Sequence, residues 1–395
     1  MFIYLAIFDR RLWYDTTPSS EDLANWDAVG VYLDLDGNVG TAPGANAHRF
    51  VVMLNSSEEQ PLQTAYRGDS GKWVSAATPF TSRTGWRGNA LNDDVDDRGW
   101  TANFYIPFES LGLSSEPPVG AVWGMGVSLH DRDDAGGTPI PDQHWPENLD
   151  SGRPVTWGQL AFGLPTYTPP PSIPRETIAI RRGLNAMAVP DADVGGTVAT
   201  GTCAWWGEDT WTYWGEINYG HSDQVNVQNQ GDVADWACLA KYYVTFPLDA
   251  VPPGKVIISA TLTMHQFGNA GQCEPGPNCE PQPPQPSWIQ VLVPDQDWDE
   301  DEITWNNAPL AAENIGGAWV EPVDSWPGGP GIPWTWDVSR AVAEAYGAGR
   351  PASLILYSAD WDYHSGKYFV SSDTDDWNET GRPTLQVQWG DSVAE

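Results

Sequence analysis

Apolar and polar residues alternate along this chain in short runs bounded by Gly, Pro, Asn and Asp. Val29-Gly30-Val31-Tyr32-Leu33-Asp34-Leu35 runs into Asp36-Gly37-Asn38, a hairpin-type turn. Residues 48–54, 100–107 and 122–130 carry the same strand pattern, and a turn is expected over 107–111. Later runs predict strands over 241–246, 256–266, 288–293, 353–358 and 384–389. Helical spacing with a Gly stop occurs over residues 337–347. Many short strands at this spacing predict an all-β fold of two β-sandwich, jelly-roll-like domains, with one short helix in the second.

The boundary falls at Leu-Pro-Thr-Tyr-Thr-Pro-Pro-Pro-Ser-Ile-Pro-Arg, residues 164–175. This stretch favours polyproline II and reads as a stiff linker. It separates a domain at 1–163 from one at 176–390; residues 276–286 are a Pro/Gln-rich surface loop inside the second. Residues 1–9 are apolar but short, lack a basic start and lack a cleavage site, so they read as a strand rather than a signal peptide. A domain that opens on a strand is expected to have lost upstream sequence. No stretch reaches the length of a membrane span.

Composition narrows the partners. The 395 residues include 53 acidic and 19 basic ones, for a net charge of −34. Such a surface repels phosphate backbones and anionic lipid, which argues against nucleic acid and membrane insertion. It also repels acidic polysaccharides unless cations intervene. The chain holds 23 tryptophans, many in turn-rich polar segments. Indole offers a flat apolar face at low entropy cost, which suits stacking on sugar rings as well as core packing. Trp26, Trp86 and Trp145 are the stacking candidates of the first domain, and Trp206, Trp211, Trp214 and Trp361 those of the second. Trp100, Trp123, Trp305 and Trp336 are expected to be structural.

Abundant carboxylates make calcium the natural counter-ligand. Asp93, Asp94, Asp96 and Asp97 form the densest acidic run, and Asp131, Asp133 and Asp134 a shorter one. Both are candidate sites for structural calcium, with Asp373, Asp375 and Asp376 a further run in the second domain. The four cysteines, Cys203, Cys238, Cys273 and Cys279, suit an oxidising compartment. Cys273 and Cys279 flank a tight Pro/Gly turn and are expected to pair, leaving Cys203 with Cys238. His130, His221, His265 and His364 have no mutual metal-ligand spacing. Gly68-Asp69-Ser70-Gly71-Lys72 has the look of a serine-nucleophile segment, but no base and orienting acid accompany it, so it reads as a turn.

Two resemblances add to this reading. Residues 2–162 resemble a family 9-type carbohydrate-binding module within the DOMON-like sandwiches. The residues concerned are Asp9-Arg10-Arg11-Leu12-Trp13, Trp26-Asp27-Ala28-Val29 with Tyr32-Leu33-Asp34, Gly99-Trp100-Thr101-Ala102, Ile106-Pro107-Phe108 and Trp157-Gly158-Gln159-Leu160. The resemblance implies one or two strands before Phe2 that are missing here. Residues 240–389 resemble a DNRLRE-type β-sandwich, an accessory domain of polysaccharide-active proteins. They do so through Tyr243-Val244-Thr245-Phe246-Pro247-Leu248, Ile258-Ser259-Ala260-Thr261-Leu262, Trp298-Asp299-Glu300, Ile303-Thr304-Trp305-Asn306-Asn307-Ala308-Pro309, Trp336-Asp337-Val338 and Arg382-Pro383-Thr384-Leu385.

Together these features predict a non-catalytic, secreted or cell-surface protein that binds polysaccharide or oligosaccharide, as an accessory part of a larger polypeptide or on its own. One alternative is a structural subunit that associates with further copies of itself or a parent polypeptide by strand addition at residues 2–8. The other is a polysaccharide-active enzyme. With so many acidic residues, a carboxylate pair in sequence carries no weight for it.

Overall fold

The computed structural model describes residues 1–37, 39–57, 61–195, 215–229, 239–270, 283–360 and 364–393. Its described elements are almost all strands, and they fall into two units, Met1–Gly163 and Leu164–Glu395.

In the first unit the strands are β1 (Phe2–Ile7), β2 (Ala28–Asp34), β3 (Ala47–Met53), β4 (Leu62–Asp69), β5 (Lys72–Ser75), β6 (Thr81–Arg87), β7 (Gly99–Tyr105), β8 (Val122–His130), β9 (Gln143–Trp145) and β10 (Gly158–Ala161). A three-stranded sheet, β1-β7-β6, faces a seven-stranded one, β10-β8-β2-β3-β4-β5 with β9 on β8. Side chains alternate across a strand, so one register fills one core. Val29, Val31 and Leu33 of β2 and Phe50 and Val52 of β3 meet Trp100, Ala102 and Phe104 of β7. Trp100 and Trp123 are buried, as the strand pattern predicts. Ser70 and Gly71 both adopt positive φ, 51° and 83°, and join β4 to β5 as a tight hairpin, so the Gly68–Lys72 segment is the expected turn. Strand β1 pairs with β7 and stands at the end of its sheet among the described residues.

In the second unit the elements are β11 (Ser172–Ile180), β12 (Asp191–Val194), β13 (Gln224–Val227), β14 (Lys241–Phe246), β15 (Val256–Asn269), β16 (Ser287–Pro294), β17 (Ala311–Val320), β18 (Ile332–Asp337), α1 (Ser339–Gly347), β19 (Ala352–Ser358), β20 (Lys367–Val370) and β21 (Thr384–Ser392). One sheet runs β11-β21-β15-β20-β13 with β18 on β15, and the other β12-β14-β19-β16-β17. Leu262, Met264, Phe369, Leu385 and Val387 of the first pack on Val244, Phe246, Ile289, Val291, Leu354 and Leu356 of the second. Helix α1 adds Ala341 and Val342 to that core.

The Pro-rich stretch at 164–175 departs from expectation. It belongs to the second unit instead of standing free as a spacer. The Tyr167 hydroxyl donates to the Ile257 carbonyl at 2.6 Å, and Ser172, Ile173 and Pro174 already pair with β21. Proline is compatible with an edge strand such as β11, because a missing N–H on the solvent side breaks no ladder bond.

A buried carboxylate ties the two sheets together. Asp191 of β12 accepts the Tyr242 hydroxyl from β14 at 2.6 Å and the Ser372 backbone N–H at 2.8 Å. The Ser372 hydroxyl also donates to it. Ser372 lies just after β20, in the opposite sheet. Burial raises the Asp191 carboxyl to about 7, against the bonds from Ser372 and Tyr242 that favour the ionised form. An unfolded Asp titrates near about 3.9. Between those values the folded chain keeps a proton that the unfolded chain has released, so this group's contribution is full in acid and declines as pH rises toward 7. Urea unfolding of wild type and Asp191→Asn from pH 4 to 8 should show the shallower decline in the variant. Parallel slopes would disprove the assignment.

Candidate functional site

The outer face of the β11-β21-β15-β20-β13 sheet carries a cleft of about 300 Å³. Phe369 points into the core, so its neighbour Val370 points outward; with Phe267 of β15 and Gln224 of β13 it lines the cleft. Two loops rise beside it. One, between β17 and β18, brings Trp326 and Gly328, Gly329 and Pro330; the other, after β20, brings Thr374, Asp375, Trp377 and Asn378. Trp326 is 67% exposed and Trp377 70%, among the most exposed large apolar side chains of the described residues.

Local sequence explains how these rings are held. Gly328 and Gly331 adopt positive φ, 78° and 102°, which lets the first loop turn sharply. A Cβ on Gly329 would lie 3.2 Å from the Trp377 ring and 3.1 Å from the Asn378 amide oxygen, so glycine there lets the two loops approach. Residues Asp376–Gly381 form a short 3-10 helix. Behind it the nearly buried Arg382 guanidinium donates from Nε to the Thr374 carbonyl at 3.0 Å and from Nη2 to Asp376 at 2.8 Å. The Thr374 hydroxyl donates to the Asp223 carbonyl, fastening the loop to the start of β13.

The cleft thus offers two exposed indole planes beside the Asp223 and Asp375 carboxylates and the Gln224 and Asn378 amides. Its polar groups suit ligand hydroxyls, which donate to carboxylates and exchange bonds with amides. Asp223 and Asp375 are both exposed to water.

The residues singled out from sequence are dispersed. Trp26 is half-buried over Leu23 and Met53, with Gly137 beneath its ring. Trp86 packs half-buried against the first core. Trp145 is 39% exposed and lies over Gly158. Trp206, Trp211, Trp214, Trp361 and all four cysteines lie outside the described residues. On the outer face of the large first-unit sheet, Arg49 stacks 5.5 Å from the Tyr32 ring and 5.3 Å from Tyr66. Its Nε is buried without a hydrogen-bond partner.

The acidic runs also divide. Asp96 pairs with Arg11 at 3.2 Å, Asp93 accepts the Val95 N–H, and Asp134 closes a turn by accepting the Gly136 and Thr138 N–H groups. Asp97 is buried and accepts the Asn89 N–H, and burial lifts it to about 6. Asp131 and Asp133 instead meet Asp9, with carboxylate oxygens all within 4.8 Å of one another. Asp131 Oδ1 is buried without a hydrogen-bond partner. Burial raises Asp131 to about 6 and pushes Asp9 well above the usual carboxylate range, with repulsion from Asp131 adding to it. In the second unit His221, Glu300 and Asp373 converge, although sequence spacing gave no hint of it. Arg182 pairs there with Asp373 and sits 3.8 Å from Glu300, so that cluster is neutralised from within.

Sequence reasoning missed Trp326 and Trp377. Their signal was the one used elsewhere, tryptophan beside Gly, Pro, Asp and Asn, in Ser325-Trp326-Pro327-Gly328 and Asp376-Trp377-Asn378.

Residues 207–388 match the model of carbohydrate-binding module family 96, and the cleft lies within that span. No curated protein matches the chain. Among solved structures it is similar to a carbohydrate binding module family 9 from Caldicellulosiruptor kristjanssonii in complex with cellotriose. Identity is 15% and the TM-score 0.29, over 41% of this chain and 68% of that one. The same kind of module from that organism in complex with glucose gives 14% and 0.28, over 42% and 72%.

Arg382→Ala removes charge-assisted bonds that hold the Trp377 loop. Such bonds contribute about 1.5–3 kcal/mol each way they are broken. Chemical denaturation should show a loss of that size for the second unit, and a midpoint within error of wild type would contradict the bracing role.

Proposed function

We propose that this protein is a non-catalytic carbohydrate-binding protein, secreted or displayed at the cell surface, alone or as an accessory part of a polysaccharide-active polypeptide. The observation that carries this reading is the pair of exposed tryptophans, Trp326 and Trp377, beside a polar cleft within the span matched to a carbohydrate-binding family. Indole planes stack on the apolar faces of sugar rings while Asp223, Asp375, Gln224 and Asn378 take their hydroxyls. With carboxylates and no cation among the described residues lining the cleft, the favoured ligand is an uncharged polysaccharide. The acidic composition and even cysteine number support the extracellular placement.

Affinity electrophoresis through gels holding a β-glucan, a xylan, a mannan or a polyuronate tests this. The chain should be retarded by an uncharged polymer. Trp326→Ala and Trp377→Ala should each weaken binding by about 1–3 kcal/mol, the size of aromatic anchor effects. No retardation by any polymer, or glycan hydrolysis on incubation, would overturn the reading.

Calcium enters as a structural ion of the first unit, held by Asp9, Asp131 and Asp133. Three carboxylates, one with an unpartnered buried oxygen, provide the hard oxygen ligands that calcium takes. Calcium at a hundredfold excess over its dissociation constant adds about 2.7 kcal/mol of stability. Chelator should lower the melting temperature, excess calcium should restore it, and Asp131→Asn with Asp133→Asn should abolish the response. A chelator-insensitive wild type would remove calcium from this account.

The position of β1 at the end of its sheet favours a second reading, in which strand addition there joins copies of the chain or a parent polypeptide. Concentration-dependent self-association, lost when Pro replaces Leu5, would support it, and a monomer at every concentration would dismiss it.

A further inference from the structure

The outer face of the large first-unit sheet presents a guanidinium that no described residue pairs. Val31, Leu33 and Phe50 point into the core, so Tyr32 of β2 and Arg49 of β3, opposite each other across the two strands, point outward. Tyr66 of β4 stands opposite Arg49 on its other side. The guanidinium lies 5.5 Å from the Tyr32 ring and 5.3 Å from the Tyr66 ring. Both rings are held in place. Trp157 and Trp73 pack against Tyr32 at 5.4 and 6.1 Å, and the Tyr66 hydroxyl donates to the Ser20 carbonyl at 3.3 Å. Trp73 is fixed in turn by its indole N–H, which donates to the Ser151 carbonyl at 3.1 Å.

Among the described residues the Arg49 guanidinium makes no hydrogen bond and no ion pair, although the chain carries 53 acidic residues. All of the first unit except residues 38 and 58–60 is described, so this statement covers the segments that border Arg49. Its Nε is buried, whereas its two terminal nitrogens reach water, and the residue as a whole is half-buried. Acids that share this face are engaged elsewhere: Asp142 pairs with His130 at 3.0 Å, and the buried Asp34 accepts the Asp36 N–H. Partial burial of a guanidinium without a hydrogen-bond partner costs free energy, and a ligand oxygen at its open end offsets that cost.

We propose that Arg49, with Tyr66 and Trp73, forms a subsite in the first unit for the carboxylate of a uronic acid residue on an otherwise uncharged glycan. The proposal extends the carbohydrate reading to the first unit. A planar guanidinium donates two parallel N–H bonds to a carboxylate, a match that neutral hydroxyls do not equal. The half-buried Tyr66 and Trp73 rings beside it offer flat faces to the sugar ring that carries the carboxylate. Charge narrows the ligand further. A net charge of −34 repels a polymer charged at every unit, and it repels a second copy that would offer one of its own acids. A single carboxylate on a neutral backbone meets the guanidinium at contact distance and little of the remaining charge, because salt screens beyond about 8 Å.

The test uses the full chain carrying Trp326→Ala/Trp377→Ala, which removes the second-unit cleft, and a xylan with sparse glucuronic acid side groups. In affinity electrophoresis this polymer should retard the chain, and the same polymer with its carboxyl groups reduced to alcohols should not. Free glucuronate should compete, whereas acetate and glucose at equal concentration should not. Adding Arg49→Lys keeps a cation between the two rings but loses the planar fork. It should weaken retardation about tenfold or more while melting like its parent, and Arg49→Gln should abolish retardation. Retardation that survives carboxyl reduction, that persists unchanged in Arg49→Lys, or that acetate relieves as well as glucuronate does would overturn the subsite. So would no retardation by the substituted xylan. Retardation of the wild-type chain by uncharged polymers, lost in Trp326→Ala/Trp377→Ala, is a separate readout, so the second-unit cleft stands or falls independently.

Discussion

The carboxylate of Asp191 is the constraint on which the second unit's binding geometry depends. Core packing fixes how far apart two sheets sit, but it is non-directional and leaves their edge loops free. Asp191 supplies direction. It stands on β12, accepts Tyr242 from β14 and takes both the N–H and the hydroxyl of Ser372, which leads out of β20. One buried acceptor therefore joins both sheets at the root of the loop that presents Trp377. Arg382 then braces the far end of the same loop. The first unit repeats the device. Fully buried Asp27 accepts the Trp13 N–H at 2.6 Å and the Arg132 N–H at 2.8 Å, fixing the segments that carry Asp9 and Asp131. In so acidic a chain, some carboxylates act as internal clamps while the rest keep the surface charged.

The sheets were legible in the sequence because their signal is local. Short strand-forming runs mark residues 48–54 and 122–130, and both become strands of one sheet. The helix over 337–347 was legible for the same reason, since apolar spacing and a Gly stop lie within three turns; it begins at Ser339 because Asp337 is still paired to β15. The Pro-rich stretch misled because composition reports stiffness but not attachment. Whether polyproline-like backbone stands free or lies along an edge is decided by β21, far away in sequence.

The candidate site was much less legible. Trp326 and Trp377 meet one cleft only because the loop after β17 and the loop after β20 flank the same outer sheet face. No short window of sequence contains that adjacency. The same limit applies to the acids. Asp93 to Asp97 form the densest run, yet Arg11, backbone amides and local turns absorb much of it. The cluster that does form draws Asp9 from the end of β1 and Asp131 and Asp133 from the end of β8, and burial is what sets it apart.

Outward-facing tryptophan also bears on the affinity that the proposed carbohydrate binding would have. A single stacked ring gives a modest affinity, because the indole and the sugar both give up water and ordering must be offset.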